Sequence, residues 1–210
     1  MSDRPRLALT FDDGPSEWTV PILELLSHHA ALATFFVIGG AVAGREHVLQ
    51  RVSSEGHEVG NHTWSHPRLA SECDDVRVRE ELEKTSALVH RLTGEIPSRF
   101  RAPYYDVDDR VLRVASRLGL AHTRGDITPP DWDERCSATL IATLVLSQVR
   151  PGAIVGLHDG DPSSMASRAR TLDALKVVLP RLVEDGFELV TVSQLESAYA
   201  RKRSASSRGL

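Results

Sequence analysis

The chain has 210 residues, 41% of them hydrophobic and 26% charged, and a formal net charge of −4. That length suits one α/β domain, and the composition excludes a disordered or collagen-like chain. The acidic balance argues against nucleic acid as the main partner, because a phosphate-binding surface needs an excess of Lys and Arg. Cys73 and Cys136 are too few and too far apart for a disulfide framework or a zinc knuckle, and read as free thiols. No apolar run approaches the ~20 residues of a membrane span, and the start of the chain has no signal-peptide core. The expectation is a soluble, cytoplasmic protein, with no membrane anchor and no coiled-coil partner helix.

The predicted elements alternate in kind along the chain. Residues 6–11 form a first strand, which ends in Thr10-Phe11-Asp12-Asp13-Gly14-Pro15. Neighbouring side chains at a strand end point different ways, so one Asp can hold a metal while the other faces a water. Taken alone, the same residues are equally a polar turn. A helix follows over 18–29 and a strand over 34–38, and residues 39–54 turn helical in their second half. The strand at 57–61 leads into Asn61-His62-Thr63-Trp64-Ser65-His66-Pro67. His62 and His66, four apart, share a face if the segment turns helically, a spacing that suits a divalent metal. His28, His29, His47, His57, His90 and His122 sit on helices or strands without such company and read as structural.

A helix over 76–92 stops before Gly94, and the strand at 99–103 carries Arg101-Ala102-Pro103-Tyr104-Tyr105-Asp106. A helix over 108–118 stops at Gly119. The strand at 120–124 precedes Asp126-Ile127-Thr128-Pro129-Pro130-Asp131-Trp132. After a helix over 138–149, the strand at 153–157 reaches Leu157-His158-Asp159-Gly160. A helix over 171–184 stops before Gly186, and a strand at 187–192 and a helix over 193–199 follow. Residues 201–210 are basic and Ser-rich and read as a flexible tail on a single domain, 1–200. Each cluster has a plain structural alternative: Arg101 in a surface ion pair, Trp132 in the core, His158 capping a helix.

Seven strands alternating with helices imply a parallel sheet. Closed on itself, it is a TIM-like barrel with one strand fewer. Five clusters rich in Asp, His and Arg fall at or just past five strand ends, so they share one mouth. One Asp and two His leave a coordination position open to water, as in catalytic zinc sites. Such an ion lowers the pKa of water from 15.7 to about 7. A carboxylate can then take the proton and a separate histidine can protonate a departing amine. That inventory fits amide hydrolysis.

The five clusters together resemble the polysaccharide deacetylase family, also called the NodB-homology or carbohydrate esterase family 4 group. Its motifs run Thr-Phe-Asp-Asp-Gly-Pro, His-Ser/Thr-x-x-His, Arg-x-Pro-Tyr, Asp-x-x-Asp-Trp and Leu-x-His; the first three are intact here and the last two partial. The resemblance implies a deformed (β/α)7 barrel, a divalent metal, usually zinc with Co2+, Mn2+ or Ni2+ as substitutes, and removal of acetyl groups from N-acetylated amino sugars. It makes Asp12 the general base, Asp13, His62 and His66 the metal ligands, and His158 the general acid. Arg101 would pair with Asp12 and keep it ionised. Asp131 would orient His158 or raise its pKa. The backbone N–H of Tyr104 would help hold the oxyanion, and Trp132 would line the pocket for the acetyl methyl. Three departures stand out. Tyr105 replaces a common Gly, and Thr128 holds the first Asp position of the fourth motif, with Asp126 two residues earlier. Gly156 holds the leucine position of the fifth motif, with Leu157 beside it as a pocket residue, which leaves room for an acyl group larger than acetyl. Two other readings keep the barrel: hydrolysis of a cyclic amide or acylated small metabolite, and a catalytically silent carbohydrate-binding protein.

Overall fold

The structure is a computed structural model that describes residues 4–163 and 166–206. Its scaffold is a parallel sheet. Strand β1 (Arg6–Asp12) lies beside β2 (Ala33–Val37), then β3 (Glu58–Asn61), β4 (Arg99–Phe100) and β5 (Ala121–His122) on one side, and β6 (Ile154–His158) on the other. A short β7 (Glu188–Leu189) pairs with the first residues of β1. Its Leu189 carbonyl accepts the Leu32 N–H, so β7 wedges in where β1 and β2 begin.

β1 is buried on both faces, as befits the centre of a parallel sheet. Leu7, Leu9 and Phe11 point outward into the main core, with Ile22, Leu23 and Leu26 of α1 (Thr19–His28) and Leu175, Val178 and Leu182 of α7 (Ala169–Glu184). The alternate residues Ala8, Thr10 and Asp12 face the interior of the curl. A second core joins α4 (Asp75–Thr93) and α5 (Asp109–Arg117) through Val78, Leu82, Val111 and Val114. The end of the curl away from the cleft is closed by α8 (Val192–Ser206): Val192 N–H donates to Thr34 Oγ1 at 3.0 Å, and Ser193 N–H to Glu58 at 3.1 Å.

Helix ends follow their residues. The Asp74 and Asp108 side chains accept N–H bonds at the starts of α4 and α5, and Gly94 takes the left-handed conformation that ends α4. Strands four, five and seven are shorter than their apolar runs suggest. At β4 the reason is Pro103, which has no N–H for a ladder, and the chain turns there into a 3-10 segment, Pro103–Tyr105. The expected 39–54 region is a 3-10 turn, Gly39–Val42, followed by α2 (Glu46–Ser54). A one-turn helix, α3 (Leu69–Glu72), was not expected, and α6 (Ala138–Leu146) ends a little early.

The barrel is deformed, because β5 and β6 do not pair. Asp126 and Ile127 span the gap: Asp126 N–H donates to Ile154 O at 2.7 Å, and Ile127 bridges Val155, donates to Ile154 O at 3.2 Å and accepts the Gly156 N–H at 2.8 Å. The expected tail starts as helix, since α8 runs to Ser206; residues 207–210 lie outside the described residues. No helix among the described residues is long and apolar enough to cross a membrane.

Candidate active site

The C-terminal ends of the strands form one rim, and the five clusters meet there. Asp12 is the last residue of β1, and its Oδ1 accepts Arg101 Nη1 at 2.8 Å. Arg101 is 1% exposed. It reaches across the curl, donating also to Thr10 Oγ1 at 2.8 Å and Thr123 O at 3.2 Å, with its guanidinium 4.3 Å from the Phe36 ring centroid. A cation so far from water is tolerable because it is paired and hydrogen-bonded. The backbone of the same residue serves the neighbouring loop: Arg101 O accepts from His62 Nδ1 at 2.8 Å.

That bond fixes the His62 tautomer, because a carbonyl can only accept. His62 Nε2 therefore presents a lone pair, and it lies 3.3 Å from Asp13 Oδ1; His66 Nε2 lies 3.2 Å from the same oxygen. Asp13 Oδ1 is buried and forms no hydrogen bond of acceptable geometry. Two imidazole nitrogens and a carboxylate oxygen crowded this way need a shared proton or a metal cation between them. Ligands about 2.0–2.1 Å from a tetrahedral zinc ion stand about 3.3 Å apart, close to the separations here. Burial would raise the Asp13 carboxyl, but His62 and His66 beside it hold it well below the usual carboxylate range. The three residues fit a divalent ion. Asp13 (φ 75°), Thr63 (φ 68°) and His66 (φ 62°) all hold left-handed backbone conformations to bring these atoms together.

On the opposite wall His158 ends β6. Asp131 grips it twice: Oδ1 lies 2.7 Å from His158 Nδ1, and Oδ2 accepts the His158 N–H at 2.9 Å. Thr171 Oγ1 donates to Asp131 Oδ2 at 2.8 Å and fixes the carboxylate in turn. Burial alone would lower the imidazole, but Asp131, aided by Asp13 and Asp12, raises it to about 9. His158 thus carries a proton at neutral pH. The Trp132 ring stands edge-on to it, with centroids 5.3 Å apart.

These groups line one cleft of about 520 Å³, shared with Arg68, Tyr104, Tyr105, Thr128, Gly156 and Arg168. The volume is that of a small-molecule site. A carboxylate clamped by Arg101, a three-ligand cation nest and a protonated imidazole facing one space can move protons at a bound polar bond. Tyr104 and Trp132 stand exposed at the mouth, and Arg68 lies over the Tyr104 ring at 4.0 Å.

Two expectations need correction. Leu157 does not line the cleft: it sits in the main core at 1% exposure, because alternate residues of β6 face opposite sides and Gly156 and His158 take the inner one. Nor does Gly156 leave a vacancy for a longer acyl group. A Cβ there would meet Thr128 Cγ2 at 3.2 Å and Tyr105 Oη at 3.4 Å, so the space is already filled. Asp126 stands apart from the cleft, where its Oδ2 accepts Ile154 N–H at 2.8 Å and anchors the segment that spans the gap.

Several supporting residues escaped the sequence reading. Glu81, 2% exposed on α4, accepts Trp64 N–H at 2.8 Å, Ser65 N–H at 2.7 Å and the Ser65 hydroxyl at 2.7 Å, so it shapes the loop between the two histidines. A charged residue inside the apolar stripe Val78, Leu82, Thr85, Val89 was the available signal. Asp159 is buried behind Asp13, accepts from Thr19 Oγ1 at 2.5 Å, and is pushed up to about 7 by burial despite that bond, with Asp13 and Asp12 adding to the rise. Arg168 donates to Gly160 O at 2.6 Å on the cleft wall. Asp159 stands in the fifth sequence cluster, where no role was read for it, and no local pattern marks Arg168.

Residues 2–123 match the family described as polysaccharide deacetylase. The chain is 39% identical over 196 residues to a chitooligosaccharide deacetylase of Bradyrhizobium sp. (strain ANU 289), covering 89% of each chain. It is 37% identical over 191 residues to the peptidoglycan-N-acetylglucosamine deacetylase PgdA of Listeria monocytogenes, covering 90% of this chain and 38% of that one. The solved structure of the peptidoglycan deacetylase PdaC from Bacillus subtilis superposes with a TM-score of 0.87 at 31% identity, covering 98% of this chain and 96% of the other.

Proposed function

The chain belongs to the polysaccharide deacetylase family, and from that premise we propose that it hydrolyses the N-acetyl group of an amino sugar within an oligosaccharide, releasing acetate and a free amine. The observation that carries the reading is the buried Asp13–His62–His66 cluster, whose crowded atoms need a shared proton or a metal cation between them, facing Asp12 and His158 in one cleft. Asp13, His62 and His66 hold a divalent ion, with zinc favoured by two imidazoles and one carboxylate. When bound, the ion supplies Lewis acidity toward the amide carbonyl and lowers the pKa of a water.

The remaining steps belong to the chain itself. Asp12 takes the proton of the attacking water, and the Arg101 bond fixes the carboxylate so that an oxygen faces the cleft. The backbone N–H of Tyr104 donates to the carbonyl oxygen as it gains charge. His158 gives its proton to the departing amine from the ring edge opposite Asp131, which holds Nδ1. Trp132 and the uncharged wall beside it receive the acetyl methyl.

The test is acetate release from N-acetylated chitooligosaccharides and peptidoglycan fragments, with zinc and with chelator. Zinc-dependent acetate is expected. In Asp12→Asn, turnover should fall by about 10²–10⁴ while bound zinc stays unchanged. Acetate release that survives chelation, or an Asn variant of undiminished activity, would overturn the mechanism.

A further inference from the structure

The cleft has two kinds of wall. Asp12, Asp13, His62, His66, His158, Asp161 and the arginines Arg68, Arg101 and Arg168 supply the charge, and Trp132, Thr128, Gly156 and Tyr105 supply uncharged surface, with Arg101 Nη1 3.7 Å from the Gly156 Cβ position. An acyl carbon chain, with nothing to give a charged group, belongs against the second wall. We infer that Tyr105 is the floor of this acyl subsite and restricts it to a two-carbon acyl group. The inference deepens the deacetylase reading and rests on it for the name of the substrate.

Three observations carry it. Tyr105 holds φ 54° directly after Tyr104 at φ 57°. Bulky residues rarely occupy this region, where glycine sits without strain, so the backbone pays to keep a large side chain at this point. That side chain is anchored within the wall: Oη accepts the Gly125 N–H at 3.2 Å, and the Arg101 and Arg124 guanidinium groups lie 5.9 and 5.6 Å from its ring centroid. Burial raises its pKa, so it stays a neutral phenol.

The third observation is what the phenol displaces. A Cβ on Gly156 would stand 3.4 Å from Tyr105 Oη, and one on Gly125 would stand 3.0 Å from it. The Thr128 methyl is closer still, 3.2 and 2.7 Å from the same two points. Two chain segments thus carry no side chain where the phenol and the methyl meet them. The depth that a bare glycine at 156 would otherwise open is taken up by a residue from another loop.

The test uses Tyr105→Gly, Gly156→Leu and the double variant. Tyr105→Gly suits the left-handed backbone and should fold. Its kcat/KM ratio for N-butyryl over N-acetyl chitooligosaccharide should rise about tenfold or more over wild type, since each methylene accepted by a pocket is worth about that factor. Gly156→Leu should lose thermal stability and acetyl turnover through collision with the Thr128 methyl and the phenol. The double variant should regain part of both, because the leucine can lean into the space the ring leaves. A ring that merely supported the fold would lower both substrates equally, and an unchanged ratio overturns the inference. So does additive loss of melting temperature in the double variant. Affinity of the zinc-loaded protein for acetohydroxamate against butyrohydroxamate reads the same floor without turnover. If wild type releases no acid from any sugar, the deacetylase reading falls, and the hydroxamate ratio in Tyr105→Gly still decides whether the phenol sets the depth.

Discussion

Among the described residues, six that are not glycine hold a left-handed backbone, and five of them, Asp13, Thr63, His66, Tyr104 and Tyr105, lie in or behind the cleft. Each such residue costs about 1–3 kcal/mol, and Thr63, with its branched Cβ, is an extreme instance. The surrounding bonds hold them there: Thr63 N–H is caught by Asn61 Oδ1 at 2.8 Å, and His66 N–H by Thr63 Oγ1 at 3.0 Å. The residue types at these points were legible in the sequence, because Asp-Asp-Gly-Pro and a spaced histidine pair are chemically unusual. Their strain was not, since nothing in residue identity alone demands a left-handed Tyr or Thr. Protonation follows the same logic. His158 is raised from 6.5 to about 9, with Asp131 overcoming the effect of burial. An imidazole raised on folding stabilises the native state below its unfolded pKa, and that contribution fades as pH climbs through the folded value. As the proton donor, His158 should set the alkaline limb of the log kcat/KM profile near pH 9. In Asp131→Asn that limb should move down toward 6.5. A limb that stays in place in a folded variant would remove Asp131 from this role.

At the scale of elements, the rim is assembled by helices that lie outside it. α4 read clearly from its apolar period, and so did its stop at Gly94. Its purpose near the site did not, because Glu81 looks like one more charged residue in a helix rich in both signs. Packed against the histidine loop, it accepts two N–H groups and a hydroxyl, and Arg77 caps it at 2.6 Å. Removing the carboxylate leaves those part-buried donors unpaired unless water replaces it, at about 1–3 kcal/mol for a donor that stays unmet. Glu81→Ala should therefore lose about 1–3 kcal/mol in urea unfolding. It should also bind zinc about tenfold or more weakly by chelator competition, because groups behind metal ligands tune affinity. Lost stability with unchanged zinc affinity would confine Glu81 to packing. β6 teaches a related point about period. Its inner and outer faces alternate strictly, so placing His158 in the cleft commits Leu157 to the core.

Across the whole molecule, the alternation of strands and helices was enough to indicate a parallel barrel, whereas its deformation was hidden. Whether β5 pairs with β6 depends on how the segment 123–127 crosses between them, and pairing across such separations leaves no periodic trace. The plug formed by α8 is likewise a matter of where the chain ends up, not of local pattern. The resulting curl leaves its catalytic rim held by contacts from distant parts of the sequence, with Asp13 after β1 and the two histidines after β3. A divalent ion among them ties these strand ends together in the native state only, so it should stabilise the fold by mass action. At a thousand times the dissociation constant, this linkage is worth about 4 kcal/mol. For a chain of this size that corresponds to a rise of about 8–16 °C in Tm. Calorimetry of the zinc-loaded protein against the chelated protein should show it. Asp12→Asn should keep the increment, because Asp12 pairs with Arg101 and lies outside the three-residue cluster. His62→Ala should lose most of it, since a ligand is gone, along with most of its bound zinc. If loaded and stripped wild-type protein melt together, the cluster does not hold the ion in the folded chain, and the route from these strand ends to amide hydrolysis closes with it.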